Sequence, residues 1–215
     1  MVLISTKMQG PAAKKLPESS EASEEHRIRL LEAFAAAVSV NGYASTTIAD
    51  IVKNARVSKR TFYEHFADKE ECFLALYAEA SKILSAGVAA ALRAPAASWR
   101  AQLDAGLDAY LTALESNPAL TRACLLEINA AGPRALTLRL RGHKKFATLL
   151  RDFVARTRKE HPEIRPLGEA MALAVVAGID ELLLVSVESG AKTSLKELRG
   201  TAAELMRAVL GVYDD

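Results

Sequence analysis

The chain has 215 residues and a formal net charge of +2, and 50% of its residues are hydrophobic and 25% charged. This composition excludes a disordered chain, and the small net charge means that any nucleic-acid partner must meet a local patch. Two cysteines, Cys72 and Cys124, are too few for a disulfide framework. The N-terminus has no signal-peptide pattern and the apolar stretch 170–179 runs into two acids, so we expect a cytoplasmic protein without a membrane segment.

Residues 1–23 lack periodicity and predict a flexible tail, after which helical patterns follow one another. The first helix is predicted over about 24–40, ahead of Gly42. Two short helices then begin at the caps Thr47 and Ser58. Six further helices are predicted at about 68–93, 98–115, 117–132, 133–161, 166–188 and 194–213. Strand-like alternation is absent, so the predicted fold class is all-α.

The two short helices have the pattern of a helix-turn-helix, with residues 54–57 as the turn. Thr47 and Asp50 form a variant of the capping box at the start of the first of them. Val57 and Phe62 flank the Ser58 cap as a hydrophobic staple, which fixes the entry angle of the second.

The second short helix is basic and aromatic on the side away from Phe62 and Phe66. That side carries Lys59, Arg60 and Tyr63. No acid lies between positions 51 and 63, where Lys53 and Arg56 add charge. An α-helix fits the major groove, and hydroxyls and N–H groups at helix starts, such as that of Ser58, bind phosphates. The pattern therefore indicates DNA binding, and a solvated turn between two packing helices is the alternative.

The segments VSKRTFYEHF and DKE, with TT-x3-I and Gly42-Tyr43 upstream, resemble the DNA-binding domain of the TetR (tetracycline repressor) family of transcriptional regulators over about 25–77. The resemblance implies a helix-turn-helix domain over 24–68 and a helical ligand-binding and dimerisation domain over 69–215. It implies a homodimeric repressor on double-stranded DNA with a palindromic operator, released by a small-molecule effector. By the resemblance, the DNA contacts come from Thr47, Lys59, Arg60, Thr61, Tyr63, His65 and Lys69.

Two residues depart from the family pattern. Arg56 stands in the turn where relatives usually carry glycine, so a left-handed backbone there is strained, and the side chain is a candidate for an added phosphate contact. Ala49 stands where many relatives carry a longer polar residue, which predicts that its helix reads little sequence.

The last two helices are the predicted dimer interface. Small residues that permit close helix approach are Ala170, Ala174, Ala177 and Gly178. The final helix has an apolar stripe of Leu198, Leu205, Val209 and Val212. The alternative is that both helices pack only inside one subunit.

A ligand cavity is expected among the fourth to eighth predicted helices. Its candidate lining residues are Trp99, Tyr110, Cys124, Asn129, Phe146 and Phe153, which either line a pocket or pack as ordinary core. Asp180 and Glu181 are either ligand anchors or residues that cap a bend or point to solvent at the dimer edge, and we expect that they point to solvent. Cys72 lies near a helix start, where the helix dipole would lower the pKa of its thiol and favour redox sensing. We expect instead that Cys72 packs as a small residue.

Rival functions have weaker support. The four histidines form no HExxH or paired metal-ligand spacing, and no glycine-rich phosphate loop or nucleophile elbow is present. We therefore expect no catalytic residues, no cofactor and no metal site. An activator of the same fold and a helical adaptor that has lost operator binding remain open.

Overall fold

The computed structural model describes residues 18–188 and 195–211. Within these ranges the chain forms nine α-helices and one 3-10 segment without a strand, which confirms the all-α fold class. The α-helices are α1 (Glu18–Ser45), α2 (Ile48–Ala55), α3 (Lys59–His65), α4 (Lys69–Ala91), α5 (Trp99–Glu115), α6 (Pro118–Leu126), α7 (Pro133–Thr157), α8 (Glu169–Glu188) and α9 (Leu195–Leu210). The 3-10 segment is Glu127–Ala131.

The start of α1 differs from the prediction. The helix begins at Glu18 and not near residue 24, because the segment after Pro17 contains no glycine or proline that would stop it. The rest of the predicted tail, residues 1–17, lies outside the described residues. Gly42 has φ 76 and ψ 162, so it interrupts α1 where the sequence predicted its end.

The C-terminal helices match their predicted positions. α9 ends at Leu210, and Val212, predicted to extend its apolar stripe, lies outside the described residues. The same is true of Ser189-Gly190, the predicted break between α8 and α9.

The chain divides into two compact units. Of the described residues, the first unit contains 18–83 and 114–138, and the second contains 84–113 and 139–211 apart from the undescribed gap. α4, α5 and α7 therefore each contribute residues to both units. The boundary at residue 68 remains a prediction.

Aromatic rings form the core of the first unit. Phe34 of α1 packs edge-on against Phe73 of α4, with ring centroids 5.8 Å apart, and Tyr43 packs against Phe73 at 5.4 Å. Phe62 of α3 is fully buried in the same cluster. Glu127 accepts a hydrogen bond from the backbone N–H of Tyr43 at 2.8 Å, so the 3-10 segment is joined to the end of α1.

A buried ion cluster links α7 to α8 in the second unit. Asp180 is only 6% exposed, so the expectation that it faces solvent is wrong. Its carboxylate accepts from Nη2 of Arg139 at 2.7 Å and pairs with Nε2 of His143 at 3.1 Å. Burial raises the pKa of Asp180, but the bonds from His143 and Arg139 outweigh burial and hold the pKa below its usual value. Glu181 is exposed, as expected.

Two helices, α4 and α8, have the length and hydropathy of a membrane span. In α4, Cys72, Phe73 and Leu76 are fully buried in the aromatic core. In α8, the buried charge of Asp180 is paired within the protein. Packing therefore accounts for part of the apolar character of both helices.

Candidate functional site

The cap of α2 forms as the sequence predicts. The hydroxyl of Thr47 accepts from the N–H of Asp50 at 3.2 Å, and the backbone N–H of Thr47 donates to the Asp50 carboxylate at 2.9 Å. The same hydroxyl donates to that carboxylate at 2.6 Å. A hydroxyl has one hydrogen, so Thr47 donates to a phosphate only after this bond breaks.

The turn between α2 and α3 is left-handed at Arg56, with φ 55 and ψ 46. Among the described residues Arg56 alone has a positive φ without being glycine, which confirms the predicted strain. The side chain of Arg29, in α1, donates to the carbonyls of Ala55 and, at 3.1 Å, Arg56. These bonds satisfy carbonyls at the end of α2 that the helix leaves unpaired. The Arg56 residue is exposed.

The start of α3 is also capped internally. The hydroxyl of Ser58 accepts from the N–H of Thr61 at 3.0 Å and lies 2.9 Å from the Thr61 hydroxyl. Phe62 and Phe66 are 0% and 4% exposed, which confirms that they are core residues. Val57 packs against the same cluster, consistent with the predicted staple.

The outer face of α3 is open to solvent. Lys59 and Arg60 are exposed, and Tyr63 is 57% exposed although it is a large aromatic residue. Glu64 is exposed beside them, and its carboxylate accepts from Nε of Arg60 at 3.1 Å. A role for Glu64 was not predicted from the sequence, although its spacing of four residues from Arg60 is typical of a helical ion pair.

His65 and Lys69 are less available than the sequence implied. His65 is half-buried, and burial lowers its pKa, so the neutral ring predominates near pH 7. The ammonium of Lys69 donates to the carbonyls of Tyr43 and Thr46 at 2.8 and 2.9 Å. It also lies 4.3 Å from the centre of the Tyr43 ring. Lys69 therefore fastens the start of α4 to the end of α1, and a phosphate contact must compete with these carbonyls.

The cysteines are not activated. Burial raises the pKa of the Cys72 thiol, so the expected effect of the helix dipole is overridden. Burial also raises the pKa of Cys124 to about 12. Both thiols are protonated near neutral pH, and Cys72 packs as a small apolar residue in the core.

An apolar cavity lies within the second unit. About 570 Å³ of space lies between its walls and in the open solvent at its mouth. The Tyr110 and Phe146 rings meet edge-on in its wall, with centroids 5.4 Å apart. The other lining residues are aliphatic side chains and one glycine: Val88, Leu92, Leu103, Gly106, Leu107, Leu149, Leu150, Val175, Val176, Ile179 and Met206.

The cavity brings together two of the six predicted ligand residues, Tyr110 and Phe146. Trp99 instead packs near His161, with ring centroids 6.3 Å apart, and Phe153 is 1% exposed and lies beneath Arg156. Cys124 and Asn129 belong to the first unit. Ligand binding by these four residues remains untested, and they are absent from the wall of this cavity.

The predicted dimer residues differ in burial. Ala174 is exposed, and Gly178, Leu205 and Val209 are half-buried. Leu198 is 4% exposed, so little of its side chain is left to meet a partner, and its place in the interface stays a prediction. Three large apolar residues exposed on α8 were not predicted from the sequence: Met171, Leu182 and Val185. Their spacing at three to four residues, together with Ala174 and Gly178, is the signal that would have found them.

No cluster of three or more potential metal ligands occurs in residues 18–188 and 195–211.

One family model matches part of the N-terminal half of the chain. Residues 30–76 match the model of the bacterial regulatory proteins of the tetR family. No curated protein matches the chain in sequence. Among solved structures, the fatty acid degradation regulator FadR from Bacillus halodurans has a TM-score of 0.77 and 17% identity, over 94% of this chain and 100% of that one.

Two further solved structures share the fold. The transcriptional regulator FadR from Bacillus subtilis, in complex with stearoyl-CoA, has a TM-score of 0.74 and 19% identity, over 86% of this chain and 99% of that one. The TetR family regulator PfmR from Thermus thermophilus has a TM-score of 0.61 and 23% identity, over 88% and 97%. At these identities the structures establish a common fold.

The strained turn gives a first testable outcome. Arg56→Gly relieves the left-handed strain, so we expect the free energy of unfolding to rise by about 1 kcal/mol. If the guanidinium contacts a phosphate, the same variant binds duplex DNA more weakly, and the slope of log affinity against log salt falls by about one. Urea unfolding and salt-dependent fluorescence anisotropy measure the two effects.

Arg56→Ala is the matched control, because it removes the guanidinium but keeps a Cβ in the left-handed turn. We expect it to lose the same DNA affinity without the gain in stability. Unchanged DNA affinity in both variants would show that the Arg56 side chain makes no phosphate contact.

Proposed function

We propose that this chain, a member of the TetR family of bacterial transcription regulators, is a dimeric repressor that a small apolar ligand releases from a palindromic operator. The proposal rests chiefly on the outer face of α3. There Lys59, Arg60 and Tyr63 are exposed, while Phe62 and Phe66 hold the helix from behind.

The face of α3 has the chemistry of a major-groove reader. Lysine and arginine donate to guanine O6 and N7, and an aromatic ring packs against a thymine methyl. The N-cap hydroxyls of Thr47 and Ser58 are held by their own helices. We therefore assign base contacts to Lys59, Arg60 and Tyr63, and backbone contacts to Arg56 and the N–H groups at the helix starts.

The second copy is proposed to pack on α8. Met171, Leu182 and Val185 are 51%, 39% and 56% exposed, and with Ala174 and Gly178 they form one apolar stripe. An exposed apolar stripe rimmed by polar residues is typical of an interface. Packing α8 and α9 against the same helices of a second copy would form a four-helix interface and place two α3 helices on successive major grooves.

The ligand is proposed to occupy the cavity beside Tyr110 and Phe146. No charged side chain lines it, so the buried part of the ligand is uncharged. A wall of leucine and valine suits an aliphatic chain. The Bacillus subtilis FadR is a protein of this fold in complex with stearoyl-CoA, which supports an acyl chain as the occupant here.

Release requires the ligand to favour a form that binds DNA less well. α4 is the proposed transmitter. Lys69 joins its first turn to the end of α1, and Phe73 is buried against Phe34. Further along the same helix, Val88 lines the cavity. A shift of Val88 on ligand binding would move α4 and the helices that it supports, and so change the spacing of the two α3 helices.

The DNA and dimer assignments are tested together by two variants, with an operator chosen by in vitro selection. We expect Lys59→Ala to weaken operator binding about tenfold, since it removes one groove contact, while the dimer persists. Leu182→Arg places a charge in the apolar stripe, so we expect a folded monomer that binds the operator weakly. Light scattering reports the mass and fluorescence anisotropy reports the affinity.

Leu136→Arg is the control for Leu182→Arg, because Leu136 is an exposed leucine on α7 at 46% exposure. It should leave the dimer intact. A dimer in Leu182→Arg would refute the α8 interface. Failure of the wild-type protein to bind any duplex at low salt would refute the regulator and favour the helical adaptor.

The ligand assignment is tested with stearoyl-CoA, using free CoA as the control. We expect stearoyl-CoA, and not CoA, to weaken operator binding by the wild-type protein at least about tenfold, the scale of a typical coupling between sites. Val176→Phe fills part of the cavity, so this variant should bind the operator normally and respond weakly. An equal effect of stearoyl-CoA on both proteins would place the ligand elsewhere. No effect on the wild type would refute an acyl ligand.

A further inference from the structure

Arg60 and Glu64 occupy the outermost line of α3. Each is two residues from Phe62, which is fully buried. Two residues turn an α-helix by about 200°, so both side chains leave it within about 20° of the direction opposite Phe62. Their side chains are 89% and 56% exposed. In a complex with α3 in the major groove, this line faces the base edges most directly.

The ion pair between these residues uses one particular donor of Arg60. Nε donates to Oε1 of Glu64 at 3.1 Å. Neither terminal nitrogen of Arg60 has a hydrogen-bond partner in the part of the chain that the structure describes. The guanidinium is therefore held by its inner edge, and its outer edge, with two parallel N–H groups, is open.

That outer edge matches guanine. Guanine presents O6 and N7 in the major groove, and bidentate arginine is the commonest specific contact to them. An arginine that is already oriented loses less side-chain freedom when it binds. The exposed pair is weak in water, but its attraction grows when a DNA groove displaces the solvent around it.

The negative charge of Glu64 is unexpected on a face that is proposed to bind DNA, because phosphates repel a carboxylate. The neighbouring His65 does not compensate this charge, since its lowered pKa keeps the ring mostly neutral. Pairing with Arg60 neutralises the carboxylate while the arginine keeps its donors for a base.

We infer that Glu64 is a positioning residue that orients Arg60 toward a guanine, so that each operator half-site carries one G·C pair read by Arg60. The inference rests on the proposed function, because it presupposes that α3 enters the major groove. It identifies Glu64 as a determinant of operator sequence although its charge opposes binding to DNA.

Selection from a randomised duplex library tests this inference, because the library contains every candidate half-site. The proteins are the full-length wild type, Arg60→Ala, Glu64→Ala, Glu64→Gln and, as a control, Lys59→Ala. We expect the wild type to select a palindrome with one guanine per half-site preferred by about 10-fold to 100-fold. Arg60→Ala and Glu64→Ala should both reduce preference at that same position to about threefold or less, with the other positions kept.

Two further readouts separate positioning from a general structural effect. Glu64→Gln should retain much of the guanine preference, because its side-chain carbonyl still accepts from Nε. Glu64→Ala should bind non-specific DNA more tightly than the wild type, since it removes a negative charge, whereas Arg60→Ala should bind it more weakly. Lys59→Ala should reduce the base preference at a different position of the half-site. Circular dichroism verifies that each variant is folded.

Retention of the guanine preference by Glu64→Ala would overturn the inference while leaving the regulator intact. The inference would also be overturned if Glu64→Ala lost a preference for cytosine at a position where Arg60→Ala keeps it. Glu64 would then itself accept a hydrogen bond from cytosine N4. If the wild type selects no sequence, the proposed function fails, and this inference fails with it.

Discussion

The direction of α3 depends on the left-handed turn at Arg56 and on the hydrogen bonds that hold it from α1. A positive φ in a residue with a Cβ costs about 1–2 kcal/mol, and Arg29 offsets this by donating to the two carbonyls at the turn. Phe62 fixes the other side of α3 by complete burial in the core. The hydrogen bonds from Arg29 and the burial of Phe62 therefore determine which side chains of α3 face outward, and the proposed base contacts of α3 follow from that orientation.

The polar groups around α2 and α3 mostly form hydrogen bonds within the protein. Thr47 and Ser58 cap their own helices, and Lys69 binds the carbonyls at the end of α1. This leaves recognition to a few exposed side chains on a rigid support. Rigid support reduces the conformational freedom lost on binding.

The starts of α2 and α3 and the outer face of α3 could be predicted from the sequence because their causes are local. Thr47 and Ser58 act within three residues, and the pattern around Phe62 repeats every turn. Contacts over long sequence separations could not be predicted. The pairing of Asp180 with Arg139 spans 41 residues, and leucines of the cavity wall have the same pattern as leucines of a filled core. The exposed stripe on α8 could not be predicted because the helix is apolar on most sides, so its sequence does not distinguish the exposed side from the buried one.

Photocrosslinking from α3 tests the central claim most directly. p-Benzoylphenylalanine in place of Tyr63 keeps an aromatic ring at a position that is 57% exposed, and the selected operator duplex is the partner. We predict a protein–DNA crosslink that maps to one position in each half-site and disappears when an unrelated duplex replaces the operator at moderate salt. Retained operator binding without any crosslink from this position would contradict the account, because the DNA would then lie on another surface.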